Sequence, residues 1–427
     1  MPAVTDQVSD AALFELLTTT AGQADPYPIY QRIRDRAPVL RSAAGPIVLT
    51  RYRDGLAALR NPRLGRGLVG PNAPRNRARL PGAADPELRS RYFDRGRNSM
   101  LFTDPPAHTR LRSLVSRAFT PRRIDELRPS VVATVDAILD QIGGPDEVDV
   151  MAELAFPLPV SVIGELVGVP AEDRPSFQPL VRASTAGLEP FVDDAGILAA
   201  LAAQDQMHAY FTDLLAWRRR NPAGDLLGGL AEAREHDDAL TDEEIVSTSI
   251  LLFAAGFETT TNLIGNGLLA LLHHPGQFDR LRRDPGLAPS AVEEILRYDS
   301  PVQVNSRTAL EPAEIDGEAI EPGQVVMVLQ GAANRDPEQF PDPDRLDLGR
   351  RDNLPLSFGW GVHHCLGAGL ARMEGEVVFR ALTDRFAAIE LAAPDVPRRP
   401  SLTLRGVTSL PVRLHAASPQ RDHTIRL

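Results

Sequence analysis

Between Thr241 and His274 the chain has no proline, and within that run Ile250-Leu-Leu-Phe-Ala-Ala255 is apolar without interruption. Thr241 and Glu244 have the S/T-x-x-E form of a capping box, in which hydroxyl and carboxylate each take a backbone N–H at a helix start. The spacing therefore predicts a helix over about 242–273, on the order of 48 Å long at 1.5 Å per residue. A segment apolar all round is expected to be buried on every side. A rod of that kind has to be wrapped by the rest of a single large body. That outweighs a length of 427 residues, which at roughly 150 residues per domain suggests two or three units.

Composition excludes several classes. The chain is 43% hydrophobic and 24% charged, which is globular rather than disordered. One Cys in 427 residues rules out a disulfide framework and a multi-thiolate zinc site. A net charge of −11 argues against a nucleic-acid coat. There is no Lys, so all 46 basic side chains are Arg, which we read as genomic coding bias. The first residues show neither a basic nor an apolar leader segment, and the longest apolar runs fall short of the ~18 residues of a membrane span. A cytoplasmic compartment is the expectation.

Elsewhere the pattern is mostly helical, punctuated by Pro. One helix is expected over Tyr27–Arg36. Another follows Asp104-Pro-Pro, with Leu111, Leu114, Val115 and Phe119 on one stripe, and stops at Thr120-Pro121. Strands are expected at Val39–Leu40, Ile47–Thr50 and Val325–Val328, and within Leu402–Val412. Asp316-Gly317 carries a hairpin signal. The fold class is mainly α with small β-sheets.

The single Cys lies in Phe358-Gly-Trp-Gly-Val-His-His-Cys365-Leu-Gly367. Glycine there lets the backbone approach another group or take positive φ. A helix follows near Leu370, so the thiol sits where a helix N-terminus stabilises a thiolate. Buried inert cysteines, the usual fate of a free thiol, have no use for such a loop. A zinc site from His363, His364 and Cys365 fails because adjacent residues rarely converge on one tetrahedral ion. The string resembles F-G-x-G-x-H-x-C-x-G, the haem-ligand loop of the cytochrome P450 family. The resemblance implies a helical prism around a buried haem b, with Cys365 as the axial thiolate and only metal ligand. It also implies His363 near a propionate and Phe358 and Gly367 in the cofactor's cradle. A thiolate pushes electron density onto iron and favours O–O cleavage.

Three other constellations occur in the family's order. Ala255-Gly-Phe-Glu-Thr-Thr260 lies midway along the long helix. A buried carboxylate is costly unless used or paired, and Thr competes for helix carbonyls, so a locally loosened helix is expected. The string is similar to the family's A-G-x-E/D-T motif, implying proton delivery by Glu258 and Thr259; the plain alternative is a Glu satisfied by a distant Arg. Glu294 and Arg297, at i and i+3, resemble the family's structural E-x-x-R pair, with Arg345 of the Pro-rich loop expected as its third member. His108 and Arg112, at i and i+4, resemble a propionate clamp, with Arg307 reaching the other propionate. By resemblance alone, Met100, Leu101, Ala255, Val302, Gln303 and Val304 line the substrate pocket. The likeness spans 25–412, leaving 1–24 as an N-terminal extension and 413–427 as a C-terminal tail.

The expected function is a monooxygenase that inserts one atom of dioxygen into a hydrophobic small molecule, in secondary-metabolite tailoring. Electrons would come from a separate ferredoxin or flavodoxin-type donor with its NAD(P)H reductase, docking near Arg110, Arg117, Arg122, Arg123 and Arg372. A monomer is expected. A cysteine-nucleophile hydrolase or transferase and a non-catalytic haem protein are the alternatives. Nine Arg fall within residues 61–100, against three acidic residues. They are read either as a solvated loop or as partners for an anionic group on the substrate or its carrier.

Overall fold

The computed structural model describes residues 10–42, 45–67, 84–143, 147–232, 234–235 and 238–417. We label the helices used below α1 (Asp10–Leu16), α2 (Tyr27–Arg36), α3 (Pro86–Arg95), α4 (Ala107–Ser116), α5 (Pro121–Ile142) and α6 (Pro157–Val167). They continue as α7 (Phe177–Ala186), α8 (Asp194–Arg220), α9 (Asp242–His273), α10 (Ala288–Tyr298) and α11 (Ala368–Arg385). The long helix α9 has the expected bounds, and both halves of its capping box form: Glu244 N–H donates to Thr241 Oγ1 at 3.2 Å and Thr241 N–H to the Glu244 carboxylate at 2.8 Å. It is buried at every residue from Thr260 to Leu271. The run Ile250–Ala255 differs from expectation: Phe253 is buried, whereas Ile250, Leu251, Ala254 and Ala255 share a face open to an internal cavity. Apolar patterning cannot tell a wall of side chains from a hollow meant for an apolar guest.

Two cores flank α9. Leu263, Ile264 and Leu268 pack with residues of α5, α10 and α11, while Phe253 and Phe257 pack with residues of α6, α7 and α8. Gly256 permits the close approach of α6, since a Cβ there would lie 2.7 Å from Ile163 Cγ1. The Pro-Pro helix ends earlier than the stripe suggests: α4 stops at Ser116, a 3-10 turn covers Arg117–Phe119, and Thr120 caps α5.

The strands used below are β1 (Val39–Arg41), β2 (Ile47–Leu49), β3 (Leu64–Gly65), β4 (Val148–Asp149), β5 (Val304–Ala309), β6 (Ala313–Ile315), β7 (Glu318–Ile320), β8 (Val325–Leu329), β9 (Phe386–Leu391) and β10 (Pro411–Ala416). One sheet has the order β1-β2-β8-β5-β3 and another β9-β10-β4. In the first, Met327 faces Val48 in a parallel pair and Ser306 in an antiparallel one. The β6–β7 hairpin turns at Asp316 and Gly317, both at positive φ (50° and 80°), as a two-residue loop of this hand requires. The strand expected within Leu402–Val412 begins only at Pro411. Its upstream backbone is otherwise engaged, because Leu402 N–H and Thr403 N–H donate to the Glu189 carboxylate at 2.9 and 3.1 Å.

From residue 10 onward the N-terminal segment belongs to the body: Leu13, Phe14 and Leu17 are buried in one core with Tyr30 and Ile33 of α2. At the other end β10 runs to Ala416.

Candidate active site

Between α9 and α11 lies a cavity of about 680 Å³, walled on one side by Ala254, Ala255 and Thr259 and on the other by Phe358, Cys365, Leu366 and Leu370. Cys365 sits three residues before α11, with its thiol facing this hollow rather than bulk water. Its loop is fixed by the backbone. Cys365 N–H donates to Phe358 O at 2.9 Å, and Gly359 and Gly361 take φ of +64° and +73°. At Gly361 a Cβ would also meet Leu59 O at 2.5 Å. Arg112, reaching over from α4, donates to His364 O at 2.6 Å, and the Arg372 guanidinium lies 4.5 Å from the centroid of the Phe358 ring. Burial pushes the Cys365 thiol up, against the Gly367 N–H, Arg112 and Arg372, which favour the thiolate.

A cationic group lies along the same cavity. Arg66, His108, Arg112 and His363 line it, and Arg307 is buried beside Arg66 without forming part of the wall itself. Burial and the neighbouring Arg66 bring Arg307 down to about 9, and burial brings Arg66 to about 10 and His363 to about 4. Asp104 is the carboxylate nearest them; it accepts from the N–H groups of Arg66 and Gly67 at 2.7 and 2.8 Å and stands 3.8 Å from His363 Nε2. Arg66 Nε, His108 Nδ1 and His363 Nε2 are buried without hydrogen-bond partners. Two guanidiniums, Arg66 and Arg307, share the one carboxylate of Asp104, a third, Arg112, also lines the cavity, and buried nitrogens among them lack partners. The group suits a guest that brings two carboxylates of its own, because unpaired buried charge is costly. A haem with two propionates meets that requirement. Arg66 and Asp104 escaped the sequence reading; the only signal was their place in an Arg-rich stretch and before Pro-Pro.

The remaining residues divide. On α9, Thr259 Oγ1 donates to Ala255 O at 2.8 Å, and Glu258, 4% exposed, pairs with Arg399 at 2.5 Å. The distant-Arg alternative is thus correct about the partner, and it leaves Glu258 on the cavity wall. The expected loosening is absent; α9 stays helical through Gly256–Thr260. Glu294 and Arg297 form a fully buried bidentate pair at 2.8 Å. The third member is Arg350, not Arg345. Arg350 Nε lies 3.1 Å from Glu294 Oε2, while the Arg345 side chain is exposed and its carbonyl accepts from Arg297 Nη2 at 3.1 Å. Arg345 is in the turn, so its backbone faces the pair and its side chain faces water. Met100, Leu101, Ala255, Val302 and Val304 line the cavity. Gln303 does not: its amide donates to Ser300 O at 2.7 Å and accepts from Tyr30 at 3.1 Å, on the opposite face of the strand-like backbone from its two neighbours. Glu374 on α11, unforeseen, lines the cavity with Oε2 unpartnered, and burial raises it to about 8.

Fold and site together define a helical cofactor-binding protein with one thiol at the base of its cavity and a cradle for two carboxylates. A model of the cytochrome P450 family matches residues 204–285 and 287–414. The chain is 41% identical over 416 residues to cytochrome P450 107B1 of Saccharopolyspora erythraea, covering 96% of this chain and 99% of that one. It is 40% identical over 412 residues to the 6-deoxyerythronolide B hydroxylase of the same organism, covering 93% and 98%. The solved structure of P450BioI, in complex with an acyl carrier protein ligated to hexadec-9Z-enoic acid, superposes with a TM-score of 0.84 at 36% identity, covering 93% and 99%. The chain belongs to the cytochrome P450 family. It is a haem-thiolate monooxygenase, the family's prosthetic group is haem b held by a cysteine thiolate, and Cys365 is the one cysteine available. The family draws on O₂ and on redox partners. Among the described residues no helix is long and apolar enough to cross a membrane.

Proposed function

We propose that Cys365 ligates the haem iron, that Arg66, His108, Arg112, Arg307 and His363 hold its propionates, and that a hydrophobic secondary metabolite is oxygenated against α9. The observation that carries this is the cavity itself, with a thiol at its base, an apolar face of α9 opposite, and a cationic cradle short of carboxylates. Bound there, the haem supplies oxygen activation. The chain's own residues do the rest. Ile250, Leu251, Ala254 and Ala255 offer an apolar surface to a substrate, and Met100, Leu101, Val302 and Val304 complete it. Thr259 Oγ1 holds a proton directed at Ala255 O and can turn it toward the cavity, while Glu258, buried on the same wall and held by Arg399, is the carboxylate that would take a proton from water and pass it on to replace the one given up. A relative that hydroxylates 6-deoxyerythronolide B and a neighbour seen with a carrier-bound acyl chain support a polyketide-like or acyl substrate.

The electron donor is a ferredoxin or flavodoxin-type protein in the cytoplasm, meeting the Cys365 face. The arginines of that face differ in how they are held. Arg110 forms a bidentate pair with Glu244 and Arg372 pairs with Glu293, while Arg122 and Arg123 share Glu126 on the exposed start of α5. The decisive test is optical. The reduced carbonyl complex of the purified protein is expected to show the far-red Soret band of thiolate ligation, and Cys365→His is expected to abolish that band while retaining haem. A wild-type spectrum typical of imidazole ligation would overturn the assignment.

A further inference from the structure

Where α3 and α8 wall the cavity, most charged side chains are matched. Arg95 pairs with Asp205 at 2.7 Å, and His208 with Glu243 at 2.9 Å. Two polar atoms on that wall are not. Arg89 Nη1 and Gln204 Oε1 are buried, have no hydrogen-bond partner, and belong to residues that line the cavity. Arg89 is anchored from one side only: its Nη2 donates to Glu189 O at 2.8 Å and its guanidinium lies 5.9 Å from the Phe93 ring centroid. The Glu189 carboxylate, whose charge acts on Arg89, accepts its hydrogen bonds from Ser401, Leu402 and Thr403. Burial lowers the Arg89 pKa, against the opposing pull of Tyr92 and of the Glu189 carboxylate, neither of which accepts a hydrogen bond from Nη1. Leaving a buried donor or acceptor unmet forfeits its hydrogen bonds to water with nothing in return. A fold tolerates that where a ligand meets them, and an ionised hydrogen-bond partner recovers the most.

We propose that Arg89 and Gln204 form the polar end of the substrate chamber. Arg89 Nη1 takes the anionic head of an amphiphile, Gln204 Oε1 accepts from an adjacent O–H or N–H, and the apolar body lies along Met100 and Leu101. This rests on the reading of the cavity as a monooxygenase's substrate chamber. The anion has two sources of the same chemistry, a free carboxylic acid or the phosphate of an acyl carrier's phosphopantetheine arm.

The test uses the full-length haem-loaded protein and three probes: tetradecanoic acid, its methyl ester and S-tetradecanoyl phosphopantetheine. Binding is followed by calorimetry, which does not require turnover, and by the haem absorption shift. At least one anionic probe is expected to bind about tenfold or more tightly than the ester, the scale of one charge-assisted hydrogen bond, and which one does so identifies the source. Arg89→Gln is expected to erase that preference, Arg89→Lys to keep part of it, and Gln204→Glu to weaken both anions while sparing the ester. Equal binding of acid, phosphate and ester by the wild-type protein would overturn the proposal, as would a preference unchanged in Arg89→Gln. A missing thiolate signature in the carbonyl spectrum would instead strike the haem assignment, and the calorimetric preference separates the two failures.

Discussion

Glu374 shows how burial alone sets a residue's chemistry. It lies 2% exposed on α11, with no cation against it, and its carboxyl rises from 4.5 to about 8. The folded protein therefore holds this proton more tightly than the unfolded chain. Between about 4.5 and 8 folding takes up a proton, so the group's contribution to stability falls as pH rises through that window. Glu374→Gln is expected to gain melting temperature over the wild type progressively from pH 5 to pH 8; an offset independent of pH would show that the carboxyl is not neutral in the fold. Asp299 works in the opposite sense. It is buried, but Arg405 and Arg398 outweigh that burial and hold it down at about 2. Its stabilisation is present above 3.8 and lost as pH falls toward 2, so Asp299→Asn is expected to flatten the acid limb of the stability profile. Neither carboxylate stands out in sequence, because a pKa belongs to the surroundings rather than to the residue type. Cys365 and Thr259 were legible because their neighbours in sequence are also their neighbours in space.

At the level of elements, the short-range signals hold and the long-range ones need the fold. The bounds of α2 and α9, the β6–β7 hairpin and the i, i+3 pair of Glu294 and Arg297 all depend on contacts a few residues apart. The third arginine does not. Which of Arg345 and Arg350 turns inward depends on the path of a Pro-rich loop over α10, and the loop gives Glu294 the Arg350 side chain, the Asn353 amide and the Asp347 N–H. Removing one member of a buried ion pair typically costs about 3–5 kcal/mol. Glu294→Ala is expected to reach that range in denaturant unfolding and Arg350→Ala to fall below it, since Arg297 stays paired. Arg345→Ala, on the surface, is expected to stay within about 0.5 kcal/mol; a large effect there would restore it to the network.

The molecule as a whole carries −11, yet presents arginines around the thiolate loop, where Arg122 is 89% exposed at the side chain. An acidic donor steered to that face is expected to reduce the haem more slowly as salt rises, since exposed charges are screened over about 8–10 Å at ordinary ionic strength. Donor-dependent reduction that stays constant from low to high salt, in the wild type and in Arg122→Ala/Arg123→Ala, would dismiss electrostatic docking there. The sequence by itself determined the central helix, the thiol loop and the class of chemistry, because each is written in contiguous residues whose spacing fixes their geometry. Tertiary structure alone decided which face of α9 looks onto a hollow, which arginine completes the pair with Glu294, and which way Gln303 points. It also decided that Arg89 and Gln204 line the same cavity. Those outcomes depend on how segments far apart in the chain divide a limited interior between them, and no local pattern encodes that division.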